Sequence, residues 1–246
     1  MPFQVPKRSP NPRAAKPRRR KPQQAELPFR QHGGARKGAG RKPKGDRAGV
    51  SHRQRCALAM QHPAHVTLKL RPGLPPLRRQ AERTAILTAF ARGKDRFGFR
   101  LAHFTIQNDH LHLIAEAADR TALRRGLQGL AIRIARALNK LWARRGKVFA
   151  DRYHDRILTS PREVRNALVY VLGNGKHHAA TGRMVRVAQA IDAYSSAPWF
   201  DGFREPITVR GTDTIEPPLA AARSWLLRHG WRRHGLLSIH ELPATG

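Results

Sequence analysis

The pattern that most constrains the fold of this chain is a series of segments that begins near Pro63. In each segment, apolar residues recur either at every second position or at three- and four-residue steps. Four segments in which apolar and polar residues alternate predict β-strands at 65–70, 97–107, 110–116 and 148–158. Three segments with apolar residues at three- and four-residue steps predict helices at 77–92, 122–144 and 160–176. The first six elements follow the order of a ferredoxin-like split βαβ unit. We therefore expect an α+β fold, with two helices on one face of a four-stranded antiparallel sheet and the other face free for a ligand.

Two local signals place boundaries in this series. Asn108-Asp109 separates two alternating segments and predicts a tight hairpin. Ser160, Pro161 and Glu163 form a capping box with proline at the first helical position, which predicts a helix that begins here and ends at Gly173 or Lys176.

Two histidines occupy the strand that follows this hairpin. Because side chains alternate between the faces of a strand, His110 and His112 are expected on one face, while Leu111 and Leu113 point into the core. Two imidazoles on one face can bind a single divalent ion. An isolated His-x-His is more often structural or solvated, but the charge of the chain and a later tyrosine helix favour a metal site.

The charge of the chain indicates its partner. A formal net charge of +32 on 246 residues destabilises a compact protein unless a polyanion is near, so nucleic acid is the expected ligand. An anionic membrane surface is the competing interpretation, but no apolar run approaches the roughly 20 residues that span a bilayer. The N-terminus has no signal-peptide pattern, and Cys56 alone excludes an internal disulfide and a cysteine zinc site. A cytoplasmic location is expected.

The chain is expected to divide into three parts. Residues 1–62 carry 17 Lys or Arg against two acids and no apolar periodicity, which predicts a disordered basic arm. Within it, the segment 33–46 resembles an AT-hook-like minor-groove clip, with the cations Arg36, Arg41 and Lys42. General electrostatic attraction explains this segment equally well. The core domain is expected at 63–178. A Trp-rich extension, with a short helix at 220–228, is expected at 179–246.

The last core helix carries the second candidate group. Tyr170 and Asn174 are four residues apart and share a helical face, whereas the apolar residues lie on another. Beside a two-histidine site, the amide oxygen can ligate a metal and the phenol can attack phosphorus. Tyr153 is the rival nucleophile, which we interpret as a packing residue. Its neighbours Arg152 and Arg156 are predicted to contact phosphate.

Further polar residues have more than one interpretation. The long helix carries a row of arginines that we expect to contact DNA, although a solvated face is the simpler alternative: Arg124, Arg125, Arg133 and Arg136. Glu116 shares strand parity with the histidines and is a further metal ligand, a partner of a ligand, or a charged strand end. The tryptophans of the extension either stack on unpaired bases or, more commonly, dock a tail onto the domain.

The combination of His-hydrophobic-His on a central strand and Tyr-x-x-x-Asn on a later helix resembles the HUH single-tyrosine transposases, in particular their REP-associated branch. The resemblance covers about residues 63–178 and includes the His65 strand and the Arg152-Tyr153 strand. One departure is Gly175, since the family's asparagine is commonly followed by proline.

The resemblance implies a metal-dependent single-stranded DNA endonuclease and strand transferase. Mg²⁺ or Mn²⁺ would be bound by His110, His112 and Asn174, and Tyr170 would form a 5′-phosphotyrosine intermediate. It also implies a bacterial nucleoid-associated protein that acts on hairpin or inverted-repeat DNA, either as a monomer or as a homodimer.

Two other functions compete with this one. The same fold could bind single-stranded nucleic acid without chemistry, as a domesticated relative would. Sheet-based RNA-binding domains use exposed aromatic residues on their strands, and here the central strands offer histidines instead. A replication or relaxase nickase of the same superfamily is disfavoured because neither paired tyrosines nor a helicase domain is evident.

Overall fold

The computed structural model of this protein describes residues 55–180, 191–207 and 217–242, without the side chains of 174–180. The strands are β1 (Ala64–Lys69), β2 (Asp95–Arg96), β3 (Phe99–Ile106), β4 (His110–Ala117) and β5 (His154–Ile157). The helices are α1 (Gln80–Ala91), α2 (Arg120–Leu141), α3 (Pro161–Ala180) and the single turn α4 (Trp225–Arg228). Short 3-10 turns span Ala197–Trp199 and Gly230–His234. Residues 1–54 of the predicted arm, which include the AT-hook-like segment, lie outside the described residues.

The sheet has the order β2-β3-β4-β1-β5, and every neighbouring pair is antiparallel. This confirms the α+β class and the split βαβ arrangement of the core. The predicted strand count was one too low, because β2 is an added edge strand. It forms because Phe97 and Gly98 both have positive φ, 53° and 76°. A two-residue hairpin turn of this hand matches strand twist and pairs Arg96 with Phe99.

The two faces of the sheet bury two separate apolar clusters. On one face, α1 and α2 cover Leu111 and Leu113 of β4 and their neighbours on β1 and β3. Helix α2 approaches β3 so closely that a Cβ at Gly126 would lie 2.1 Å from Cγ of Phe99. On the other face, α3 and the C-terminal segment (the described residues 191–207 and 217–242) pack around Ile114. Alternation along β4 therefore assigns each apolar residue to one of the two clusters.

The expectation of a free ligand-binding face was wrong. Helix α3 packs its apolar side on that face, and the C-terminal segment continues the cover over the edge of β3. The Ser196 amide donates to the Phe104 carbonyl at 2.9 Å, and the Ala220 amide donates to the Leu101 carbonyl at 2.8 Å. These bonds satisfy the exposed edge of β3, which would otherwise offer unpaired backbone groups.

Three predicted boundaries differ from the structure. The strand expected at 148–158 is regular only at 154–157, because the Asp151 carboxylate accepts the Arg152 amide at 2.7 Å and bends the chain before it. The helix expected at 220–228 begins only after Ser224, since Ala220 is extended beside β3. Helix α3 continues past Gly173, because glycine permits a helix to end but does not require it.

The segment before β1 also packs on the domain. Leu58 is buried in the α1/α2 cluster, and Arg55 pairs with Asp155 at 3.2 Å. Asp155 is 5% exposed and also accepts from Arg120 at 2.5 Å, so one carboxylate joins this segment to β5 and α2. These contacts precede Pro63, where the core domain was expected to begin. Within the described residues, no helix has both the length and the apolar composition needed to cross a bilayer.

Candidate active site

His110 and His112 lie side by side on the face of the sheet that α3 covers. Their ring centroids are 4.6 Å apart, with the planes nearly perpendicular at 84°. His112 is buried and His110 is partly exposed at the end of β4. The predicted shared face is confirmed, with Leu111 and Leu113 on the opposite side.

Each histidine is oriented through its Nδ1 atom. Nδ1–H of His110 donates to the Asp109 carboxylate at 2.7 Å, and Nδ1 of His112 lies 3.1 Å from the Thr67 hydroxyl. The hydrogen bond from His110 lowers the pKa of Asp109, against the opposing effect of partial burial. Such a partner on one ring nitrogen fixes the tautomer that presents the other nitrogen to a metal. Asp109 therefore arranges His110 to present Nε2, and His112 presents Nε2 when its Nδ1–H donates to the Thr67 hydroxyl.

Tyr170 reaches this pair from α3. Its hydroxyl oxygen lies 3.2 Å from Nε2 of His112, and its ring meets that of His112 edge-on at 4.9 Å. The capping box positions the helix that carries it: Glu163 accepts from the Ser160 backbone at 3.2 Å and the Ser160 hydroxyl accepts from the Glu163 amide at 3.3 Å. The structure thus brings together three of the predicted site residues, His110, His112 and Tyr170.

His65 is a site residue to which sequence reasoning gave no role. It lies on β1, diagonally opposite His112 of the neighbouring strand β4. The ring centroids of His65 and His112 are 5.2 Å apart, and those of His65 and Tyr170 are 5.6 Å apart. Burial, reinforced by the charges of His154 and Arg156, lowers the pKa of His65 to about 4, so it is neutral at pH 7. Its buried Nε2 has no hydrogen-bond partner among the described residues.

The predicted third metal ligand cannot be placed in the same way. Asn174 follows Tyr170 by one helical turn on α3, but its side chain lies outside the described residues. Among the described residues, no three His, Cys, Asp or Glu side chains are grouped to hold an ion. Two imidazole nitrogens are donors for a transition-metal ion, whereas Mg²⁺ is bound mainly through oxygen. Of the two implied ions, this pair fits Mn²⁺ better.

Glu116 binds backbone amides of the C-terminal segment rather than serving in either of the metal-site roles predicted for it. Both carboxylate oxygens accept backbone N–H groups, from Arg223 and from Ser224, each at 2.8 Å. Glu116 is only 4% exposed, so it is not a solvated strand end either. It anchors the C-terminal segment on the sheet at the start of α4.

The predicted DNA-contacting arginines do not converge on the site. Three of the four on α2 are exposed and Arg133 is half-buried, but α2 packs on the opposite face of the sheet from the histidines. Arg156 is exposed on the histidine side, where it donates to Glu163 at 2.9 Å, and Arg152 is exposed just before β5. The cations Arg36, Arg41 and Lys42 lie outside the described residues. DNA contact by all of these residues stays a prediction.

Tyr153, the rival nucleophile, is half-buried against the α1/α2 cluster. The guanidinium of Arg55 stacks on its ring, 3.8 Å from the centroid, and donates to its backbone carbonyl. The structure therefore keeps Tyr153 on the other side of the sheet from the histidine pair.

The C-terminal tryptophans divide between docking and exposure. Trp231 is buried and donates its indole N–H to the Leu227 carbonyl at 3.0 Å, so it docks the segment on α3. Trp225 is 46% exposed beneath Arg233. Stacking of nucleic-acid bases on Trp225 stays a prediction.

The residues that sequence reasoning missed lie mainly on β1. Thr67 and Lys69 pair directly with His112 and His110. Their parity with His65 was visible in the sequence, but the pairing register was not. Asp109 belongs to the predicted turn, and its position next to His110 is the signal of an orienting carboxylate.

Comparison with known proteins adds a weak likeness. No protein-family model matches the chain, and no curated protein sequence matches it. One similar solved structure is that of a REP-associated tyrosine transposase bound to a REP hairpin. It has 14% sequence identity and a TM-score of 0.48, over 71% of this chain and 93% of that chain. Similarity of this degree is too low to assign the chain a family or a function.

Proposed function

We propose that this protein is a metal-dependent endonuclease and strand transferase for single-stranded DNA, with Tyr170 as its nucleophile. The observation that carries this proposal is the 3.2 Å approach of the Tyr170 hydroxyl to Nε2 of His112, beside an oriented second histidine. A nucleophile in contact with a two-histidine site, on a chain of net charge +32, is suited to a phosphodiester substrate.

The reaction exchanges one phosphodiester bond for another. The Tyr170 oxygen attacks phosphorus and loses its proton to solvent, and the bond from phosphorus to the 3′-oxygen breaks. The departing 3′-oxygen takes up a proton, and the 5′ phosphate stays attached to the tyrosine. Attack by another 3′-hydroxyl reverses these changes and rejoins two strands. No net energy source is needed, because each step trades one phosphate ester for another.

His110 and His112 would hold the divalent ion through Nε2, with Asn174 as the proposed third ligand. A bound ion supplies charge stabilisation at the phosphoryl oxygens and at the departing oxygen. Because Nε2 of His112 has one lone pair, it cannot accept from Tyr170 and bind an ion at once. With an ion on His112, the Tyr170 hydroxyl would lose this hydrogen bond and would be free to face the substrate.

The proposed substrate is hairpin or inverted-repeat DNA with a single-stranded flank, in the bacterial nucleoid. Helix α3 and the C-terminal segment cover the sheet around Ile114, whereas His110 is partly exposed, so we propose that the substrate enters at this end of β4. A single strand can approach a partly covered histidine more easily than a duplex can.

A covalent-adduct assay tests the proposal. Single-stranded oligonucleotides from the flanks of the gene, including any inverted repeats, are incubated with the wild-type protein and with Tyr170→Phe, in Mn²⁺ or in EDTA. Products are separated on a denaturing gel. Tyr153→Phe serves as the matched control, because it removes the same hydroxyl from the other side of the sheet.

The proposal predicts a Mn²⁺-dependent protein–DNA adduct that is absent with Tyr170→Phe and retained with Tyr153→Phe. Tight binding without an adduct on any of these substrates would instead indicate a non-catalytic binding protein. An adduct that survives Tyr170→Phe and disappears with Tyr153→Phe would move the nucleophile to Tyr153.

A further inference from the structure

Three exposed cations lie at the end of the sheet where the histidine pair opens to solvent. Lys69 ends β1, Arg71 follows it by two residues, and Lys147 precedes the segment that pairs with them. We call Lys69, Arg71 and Lys147 the basic rim. None of the three was among the residues predicted to contact DNA.

Backbone pairing fixes the position of the basic rim relative to the site. Lys69 pairs with His110 across β1 and β4, and the Leu70 amide donates to the Asp109 carbonyl at 2.7 Å. On the other side of this segment, the backbone amide of Arg71 donates to the Val148 carbonyl at 2.9 Å. Neighbouring strands are about 4.8 Å apart, so the rim begins one strand spacing from His110 and ends about two strand spacings from it.

Lys69 is also on the correct face of the sheet. It has the parity of Thr67, whose hydroxyl contacts His112, and the opposite parity to the buried Leu68. Lys69 therefore lies directly beside His110 on the histidine face, with its side chain exposed to solvent.

The basic rim differs from several cations of β5 and its surroundings in having no carboxylate within ion-pair distance among the described residues. In the described part of the chain, none of its three members forms an ion pair. By contrast, Arg55 and Arg120 are paired with Asp155, and Arg156 with Glu163. Asp109 is engaged by His110, and Asp151 accepts the Arg152 amide. Exposed cations that have no carboxylate partner can bind an anion, such as a phosphate group, from solution.

We infer that the basic rim binds the phosphates of the single-stranded DNA that flank the bond cut at Tyr170. This inference rests on the proposed function and names the path by which its substrate reaches the site. The α2 arginines cannot serve this path, because the full thickness of the sheet lies between them and His110. A single strand held on the rim instead runs along the exposed end of β1 toward His110.

The test compares two variants that each lose three positive charges from the full-length chain. The rim variant carries Lys69→Ala, Arg71→Ala and Lys147→Ala. The control variant carries Lys140→Ala, Arg223→Ala and Arg228→Ala, which are exposed cations on α2 and the C-terminal segment. Both are made on a Tyr170→Phe background. Binding of a fluorescent single-stranded oligonucleotide is measured by anisotropy in EDTA across a range of salt concentrations.

We expect the rim variant to bind at least about tenfold more weakly than the control, because several charge-assisted phosphate contacts are lost. Its salt slope should be lower by about two, since each lost single-strand contact removes about 0.7 from the slope. In the cleavage-competent chain, the rim variant should raise KM with little change in kcat. The single change Lys69→Arg should retain wild-type binding. Thermal melting checks that both triple variants are folded.

Equal weakening by the two variants would overturn the inference, because the binding would then depend on total charge alone. No weakening by the rim variant would overturn it as well. Because binding is measured without cleavage, the effect of the rim variant on DNA affinity can be interpreted even if Tyr170 is not the nucleophile. Conversely, an adduct that forms normally in the rim variant at low DNA concentration would preserve the proposed function and reject the rim.

Discussion

The two faces of the central sheet are built from the same strands but from different chemistry. The α1/α2 face of β4 presents Leu111, Leu113 and two alanines, all fully or almost fully buried. The α3 face presents His110 and His112, with Ile114 and Glu116 further along. One strand of eight residues therefore supports the fold with one face and carries the candidate chemistry with the other. Substitutions on alternate residues should separate stability from activity.

The largest effect is expected from His112→Ala. This change removes one of two candidate ion-binding nitrogens and the contact to Tyr170. Loss of a residue that only orients a metal ligand lowers activity by up to about 100-fold, so loss of the ligand itself should lower the cleavage rate by more than that. Single-turnover cleavage rates with Mn²⁺ measure it. A rate within a few-fold of wild type would remove His112 from the site.

The matched change on the other face is Leu113→Ala. It empties a fully buried position and should lower the free energy of unfolding by about 2–5 kcal/mol. Denaturant unfolding measures this loss. Cleavage per folded molecule should stay close to wild type at a temperature where the variant is folded. A specific loss of cleavage in the folded variant would contradict the division of labour between the faces.

A smaller effect is expected from Asp109→Asn, which weakens the support of His110 without touching its Nε2. The affinity for Mn²⁺ should fall about 10- to 100-fold, and excess metal should restore the cleavage rate. Titration calorimetry with Mn²⁺ gives the affinity. If the rate falls and excess metal does not restore it, Asp109 acts on the substrate rather than through His110.

The smallest effect concerns acid, to which the two faces should respond differently. Burial lowers the pKa of His103, on β3, to about 4, with Asp201 acting in the opposite direction. The His103 imidazole binds a proton more tightly in the unfolded chain than in the folded protein. The contribution of neutral His103 to the free energy of unfolding is therefore complete above about pH 6.5 and declines as the pH falls toward 4. Hydrogen exchange should accelerate in α3 before α2 over this range, and His103→Gln should reduce the difference.

The fold was predictable wherever a local repeat decides the structure. The alternation through His110-Leu111-His112-Leu113 assigned two faces to β4, and the Ser160–Glu163 capping box placed the start of α3. The two-residue strand β2 escaped because it depends on positive φ at Phe97, an uncommon conformation for that residue.

The supporting parts of the site were less predictable because they depend on contacts between distant segments. Thr67 meets His112 only through the register of β1 against β4, and Glu116 meets Arg223 only after the C-terminal segment folds back on the sheet. The position of the α2 arginines relative to the site was likewise not predictable from the sequence. Their charge suggested DNA contact, but only the packed structure shows that they face away from the histidines.

The measurement that tests the central claim most directly is mass spectrometry of a protease digest of the covalent protein–DNA complex. If the α3 face carries the chemistry, the nucleotide remnant is found on the peptide that contains Tyr170, bound through a 5′ phosphate. A remnant on Tyr153, whose ring packs on the α1/α2 side, would contradict the account, as would a 3′ linkage.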